Sequence, residues 1–136
     1  MKIRKAELTD ILECVNLSKI KEFETPLGFP SEEYLKESLE TGLFFVAEKN
    51  NKILGFILGF KLTRKDVYLD LLTVRKEARG KEIGRRLINK FKEELRKQSV
   101  KMYFLIAPSF NKSTHSFYRK LGLKEGDEYI LFCEKL

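Results

Sequence analysis

Residues 66–91 read DVYLDLLTVRKEARGKEIGRRLINKF. After Asp66, the run VYLDLLTV carries a single charge, Asp70, and both its faces are otherwise apolar or aromatic. That pattern suits a strand inside a sheet rather than at its edge. A charged turn containing Gly80 follows. From there apolar residues recur at Ile83, Leu87, Ile88, Phe91 and Leu95, which is one stripe of a helix running to about Lys97. Strand, glycine-bearing turn and helix, in that order, belong to a domain whose helices pack on a sheet.

Outward from this stretch the same signals continue. On the amino-terminal side, KIRKA (2–6) alternates as a first strand, and LTDILECVNLSKIKEF (8–23) has helical spacing with Thr9 as its N-cap. TPLGFP (25–30) breaks the chain, and Ser31 before Glu32 and Glu33 caps a short helix to about Leu39. LFFVAEK (43–49) and KILGFILGFKL (52–62) join 66–74 through the short connections NN and TRK, which predicts an antiparallel meander. On the carboxyl-terminal side come a strand over 102–107, a helix in STHSFYRKL ended by Gly122, and a last strand in YILFCEKL (129–136). The expected fold class is α/β (α+β): a mixed, mostly antiparallel central sheet flanked by helices, in one domain spanning 1–136.

Composition excludes several functions. No apolar run approaches the ~18 residues of a membrane helix. The start MKIRKAELTD lacks the apolar stretch of a signal peptide, so a cytoplasmic protein is expected. The two cysteines, Cys14 and Cys133, have no metal or redox spacing and read as core residues. His115 is the single histidine and reads as an exposed helix residue; no metal site is expected. The formal charge is +7, and residues 75–101 hold eleven basic and four acidic residues while the rest of the chain is neutral. Local basicity of this kind points to an anionic partner.

That basicity surrounds a helix start. Unpaired amides and the positive dipole end make such a start a natural pyrophosphate site. Gly80 permits unusual backbone angles, Gly84 lets a ligand or strand come close, and Arg79, Lys81, Arg85 and Arg86 add attraction. The spacing is neither that of a P-loop nor that of a dinucleotide fingerprint.

VRKEARGKEIGRRLINKF (74–91) resembles the coenzyme A-binding segment of the GNAT N-acetyltransferase superfamily, whose signature is Arg/Gln-x-x-Gly-x-Gly/Ala. NKSTHSFYRKLGLK (111–124) is similar to that family's later motif, an Asn before a helix carrying Phe-Tyr and ending in Lys-Leu-Gly-Phe. Two positions depart from the pattern: Glu82 stands at the first signature glycine and Lys76 where a proline is common. Glu82 is expected either to face outward and pair with Arg86 or to weaken coenzyme binding.

The resemblance implies acetyl transfer from acetyl-CoA to a primary amine, with no metal. It implies that backbone amides of Leu72, Thr73 and Val74 hold the cosubstrate. Those of Arg79, Gly80, Lys81, Glu82, Ile83, Gly84 and Arg85 would hold its pyrophosphate. Tyr118 would protonate the leaving sulfur and also contact the cosubstrate, and Asn111 would bond the pantetheine arm or a water. Asp70 is read from its own setting. A carboxylate in an apolar strand needs a partner or a cleft, which leaves general base, amine anchor and structural pair open. The stretch 21–34 would wall the acceptor site, where Glu22, Glu24, Glu32 and Glu33 favour a cationic acceptor or form a solvated acidic face. The acceptor is expected to be a small-molecule or peptide amine, and a homodimer is compatible with such a chain. A coenzyme-binding sensor with little catalysis is the alternative that Glu82 sustains. A nucleic-acid-binding domain is weaker, because the basic segment lacks interleaved exposed aromatics.

Overall fold

The structure, a computed structural model, describes all residues 1–136. Five strands, β1 (Lys2–Lys5), β2 (Phe44–Lys49), β3 (Lys52–Lys61), β4 (Asp66–Val74) and β5 (Met102–Phe104), form one sheet in sequence order. The first three pairings are antiparallel and β4–β5 is parallel. The parallel pair needs a crossover, which α3 (Ile83–Lys97) supplies. Asn50 and Asn51 both take positive φ, 52° and 60°, as the tight turn between β2 and β3 requires.

The helices cover both faces. The stripe Ile83, Leu87, Ile88, Phe91 and Leu95 is buried against Phe45, Ala47, Ile57, Val67 and Leu69. Helix α4 (Lys112–Lys120) and the residue after it add Phe117, Tyr118 and Leu121 to that layer. On the opposite face α1 (Ile11–Leu17) and α2 (Glu32–Glu37) cover Phe44, Val46, Phe56, Leu58 and Leu71 through Ile11, Cys14 and Leu35. Cys14 is a core residue as expected, its thiol pushed up to about 12 by burial and by nearby Asp10 and Glu13.

Several local expectations are corrected. The first helix ends at Leu17, because Ser18 Oγ donates to the Val15 carbonyl at 2.7 Å and diverts the chain. Thr9 is not its N-cap; Asp10 accepts from the Glu7 amide at 2.8 Å and is gripped by Arg4 at 2.8 and 2.9 Å. Ser31 does cap α2, accepting from the Tyr34 amide. Strand β5 stops at Phe104 instead of 107. The expected last strand does not form: 129–136 pairs with nothing, and Cys133, read as a core residue, is exposed. Nothing covers Tyr129, Ile130, Leu131 and Phe132, which are 77, 80, 62 and 86% exposed.

Candidate active site at the fork of the sheet

The parallel ladder begins at Asp66↔Met102 and ends at Tyr68↔Phe104, whereas β4 runs on to Val74. The sheet therefore forks, leaving Leu69–Val74 unpaired on the β5 side. A bulge bends β4 where the fork opens. Leu58 faces Leu71 and Gly59 faces Leu69, so Asp70 is the extra residue. The expected cosubstrate-holding amides of Leu72, Thr73 and Val74 belong to the free arm. Leu72 and Val74 pack their side chains against the α3 layer.

The chain then reaches the helix start. Gly80 has φ +77° and Glu82 φ +66°, so two residues of this turn are left-handed. No side chain caps α3, and the amides from Gly80 to Arg85 donate to no protein acceptor. That gives a run of free donors at a positive helix end, which fits a pyrophosphate. Ile83 supplies only its amide, since its side chain is in the core. Arg79 turns back, its Nε donating to the Val74 carbonyl at 3.0 Å, while Lys81 stays in solvent. Glu82 faces outward and pairs with Arg85 at 2.8 Å, not with Arg86. A Cβ on Gly84 would lie 3.2 Å from the Phe117 ring, so the close approach that Gly84 permits is that of α4.

Helix α4 brings the second motif to the fork. Tyr118 is largely buried beside Phe117, their ring centroids 5.2 Å apart, yet its hydroxyl has no protein partner and is not sealed from solvent. Burial, then the negative charge of Glu22, then Tyr103 raise its pKa well above the ordinary phenol value. It stays protonated at every pH near neutrality. Asn111 is the N-cap of α4: its Oδ1 accepts from the Thr114 amide at 3.1 Å and its Nδ2 donates to Glu22 at 2.6 Å. Thr114 Oγ1 donates to the same carboxylate at 2.8 Å. Glu22 thus ties the loop after α1 to the start of α4. Of the four glutamates expected near the acceptor, only Glu22 makes such a contact. Glu32 pairs with Lys36, and Glu24 and Glu33 are exposed. His115 is half-buried rather than exposed, with Nε2 2.8 Å from the Pro108 carbonyl.

On the other side of the fork Asp70 has a partner that sequence reasoning missed. Tyr34 of α2 donates its hydroxyl to Asp70 Oδ2 at 2.5 Å. Burial raises the Asp70 pKa, and the Tyr34 hydrogen bond works against that shift. Tyr68 stacks between Phe60 and Phe104, with centroids 5.6 and 5.2 Å away, and its own pKa is raised by burial and by the Asp70 charge. A carboxylate among aromatic rings is a setting that favours a cation. No group of three or more metal-ligating side chains gathers anywhere in the chain.

Comparison with known proteins agrees with this geometry. No curated protein matches the sequence. The fold is similar to that of the PaiA N-acetyltransferase from Thermoplasma acidophilum in complex with coenzyme A (22% identity, 94% of this chain and 92% of that one, TM-score 0.82). It is also similar to the ribosomal-protein-S18-alanine N-acetyltransferase from Escherichia coli (21% identity, 93% and 79% covered, TM-score 0.77). A third similar structure is the aminoglycoside 6'-N-acetyltransferase AAC(6')-IG from Acinetobacter haemolyticus (17% identity, 100% and 99% covered, TM-score 0.79). With a forked sheet, an uncapped helix start and both motifs in place, and with the acetyltransferase (GNAT) family model matching residues 8–123, this chain belongs to the GNAT acetyltransferase family.

Proposed function

We propose that the protein is an N-acetyltransferase that moves the acetyl group of acetyl-CoA to a primary amine by direct attack in a ternary complex. The observation that carries this reading is the convergence on one fork of free α3 amides, the unpartnered Tyr118 hydroxyl and the Asp70–Tyr34 pair. The amides from Gly80 to Arg85 suit the pyrophosphate, and the free arm Leu72–Val74 suits the amide groups of the pantetheine. The amine loses its proton to Asp70, whose raised pKa makes it a better base than an ordinary carboxylate. The neutral amine attacks the thioester carbonyl, the N–C bond forms and the C–S bond breaks. Tyr118, held protonated, donates to the departing sulfur, and the proton that the attacking nitrogen sheds as the amide forms restores the phenol. Coenzyme A, as the thiol, and an amide leave.

The acceptor is a small molecule or peptide carrying a cationic amine, a class favoured by Asp70 among Tyr34, Tyr68 and Phe104. The test mixes the protein with acetyl-CoA and a panel of primary amines and follows free thiol. Tyr118→Phe is expected to lower kcat about 10²-fold, the scale of a lost general acid, with acetyl-CoA affinity by calorimetry unchanged. Unaltered turnover in Tyr118→Phe would remove that residue from the chemistry. Failure of acetyl-CoA both to bind and to raise Tm would remove the whole reading.

A further inference from the structure

Glu22 sits where the chain passes from one arm of the fork to the other. It lies in the single helical turn Lys21–Phe23 that follows α1, and it is half-buried. One oxygen of its carboxylate, Oε1, accepts from Asn111 Nδ2 at 2.6 Å and from Thr114 Oγ1 at 2.8 Å. Both donors are uncharged, and hydrogen bonds to an ionised acceptor are the strong ones. The preceding residue adds a second hold, with Lys21 Nζ 4.8 Å from the centroid of the Phe110 ring. Phe110, Asn111 and Thr114 all belong to the start of α4, the helix that carries Tyr118. After burial, the charge of Glu22 is the next cause of the raised Tyr118 pKa, so the two side chains stand near each other.

The same segment is tied at its far end to the opposite arm. Tyr34, on α2, donates its hydroxyl to Asp70 of β4 at 2.5 Å. Between the two ties the chain is stiff. Pro26 and Pro30 fix φ at two positions. Thr25 and Gly28 close a turn on each other, amide to carbonyl in both directions, at 3.0 and 2.9 Å. Ser31 then caps α2. Residues 22–34 are therefore a short, stiff strap with one end on α4 and the other on β4. The ladder between β4 and β5 ends at Tyr68↔Phe104, so no sheet hydrogen bond fixes the width of the fork beyond it. Asp70 and Tyr118 stand on different arms, and the strap joins those arms.

We propose that Glu22 is a positioning residue: its bonds to Asn111 and Thr114 anchor the strap 22–34 to α4 and set the gap between Asp70 and Tyr118 that receives the acceptor amine. The inference rests on the acetyl-transfer reading above. It gives Glu22 a task other than attracting a cation, and it places Asn111 on the acceptor side of the fork. Asn111 Oδ1 already accepts from the Thr114 amide at 3.1 Å and from the Ser113 hydroxyl at 2.9 Å. Those two donors fix the orientation of the amide, so Nδ2 is the atom turned to Glu22.

The polarity of this contact allows a test by reversal. Asn111→Asp keeps the oxygen that caps α4 but sets a second carboxylate against Glu22. Adding Glu22→Gln restores the bond the other way round. The glutamine amide then donates to the aspartate, and its carbonyl still accepts from Thr114. In Asn111→Asp, kcat/KM for the fastest primary amine of the panel is expected to fall about tenfold, the scale of one hydrogen bond to a charged group. Deuterium uptake across residues 19–30 is expected to run about fivefold faster, as a segment released from its anchor. The Kd of acetyl-CoA by calorimetry stays within about twofold, since the strap does not touch the free amides of α3. Asn111→Asp/Glu22→Gln is expected to bring kcat/KM and uptake back toward wild type, a recovery that general loss of stability would not show. Uptake across 19–30 unmoved by Asn111→Asp would mean the strap is held elsewhere and would overturn the proposal. A double variant as impaired as Asn111→Asp would overturn it equally. So would a loss confined to acetyl-CoA affinity, which would return Asn111 to the cosubstrate. If wild type binds no acetyl-CoA and acetylates no amine while the uptake change and its reversal hold, the acetyl-transfer reading fails and the anchoring role of Glu22 stands.

Discussion

Glu82 carries the conflict of the signature within one residue. A non-glycine residue at φ +66° sits where the backbone prefers glycine, and it flanks the uncapped start of α3. The outward pairing with Arg85 turns the carboxylate away from the free amides and also occupies one of the cations expected to draw the pyrophosphate. Glu82→Gly removes left-handed strain of about 1–2 kcal/mol and loses an exposed ion pair worth less than about 1 kcal/mol. A higher Tm is expected by calorimetry. Acetyl-CoA affinity should tighten about two- to five-fold, from the roughly 0.3–1 kcal/mol of one charge at a helix end. Unchanged affinity in titration would mean that neither Glu82 nor the released Arg85 reaches the phosphates. The Asp70–Tyr34 pair makes a second prediction at this scale. Asp70 must be ionised to act as base, so kcat/KM rises with pH through its raised pKa. The Tyr34 bond stabilises the charged form, so Tyr34→Phe raises that pKa further and moves the acid limb of the profile to higher pH. A limb that stays in place would separate Asp70 from the proton transfer.

Among the elements, β3 and β4 set the position of the fork through close contacts. A Cβ on Gly59 would lie 2.6 Å from two atoms of the Phe91 ring and 2.9 Å from the Tyr68 carbonyl. That glycine lets α3 press on the sheet beside the bulge that presents Asp70. Gly59→Ala is expected to cost about 1–3 kcal/mol by overpacking, read as a lower midpoint in urea with the slope preserved. Wild-type stability in that variant would mean the ring moves aside without cost. The elements that local pattern specifies were legible: the α3 stripe, the Ser31 cap and the Asn-Asn turn each depend on residues a few positions apart. The early end of α1 was not, because Ser18 in sequence neither forbids nor demands a helix until its hydroxyl finds the Val15 carbonyl.

At the scale of the whole molecule the sheet gathers groups that the chain keeps far apart. Glu22 meets Asn111 and Thr114 across 89 and 92 positions, and Tyr34 meets Asp70 across 36. No periodicity or spacing records such pairs, since they depend on how layers stack. The tail shows the same limit from the other side. Its strand pattern is plain in the sequence, but a strand needs a partner, and within one chain it has none. The sequence alone determined the strand–turn–helix unit at 66–97, the meander before it and the family's two motifs, because short-range sterics and apolar period dictate them. Only the tertiary structure decided that Glu82 faces outward, that Gly84 serves Phe117, that Asp70 is bulged onto Tyr34 and that the last apolar segment stands open. Each of those outcomes is fixed by which surfaces meet, and that is a property of the packed chain rather than of any stretch of it.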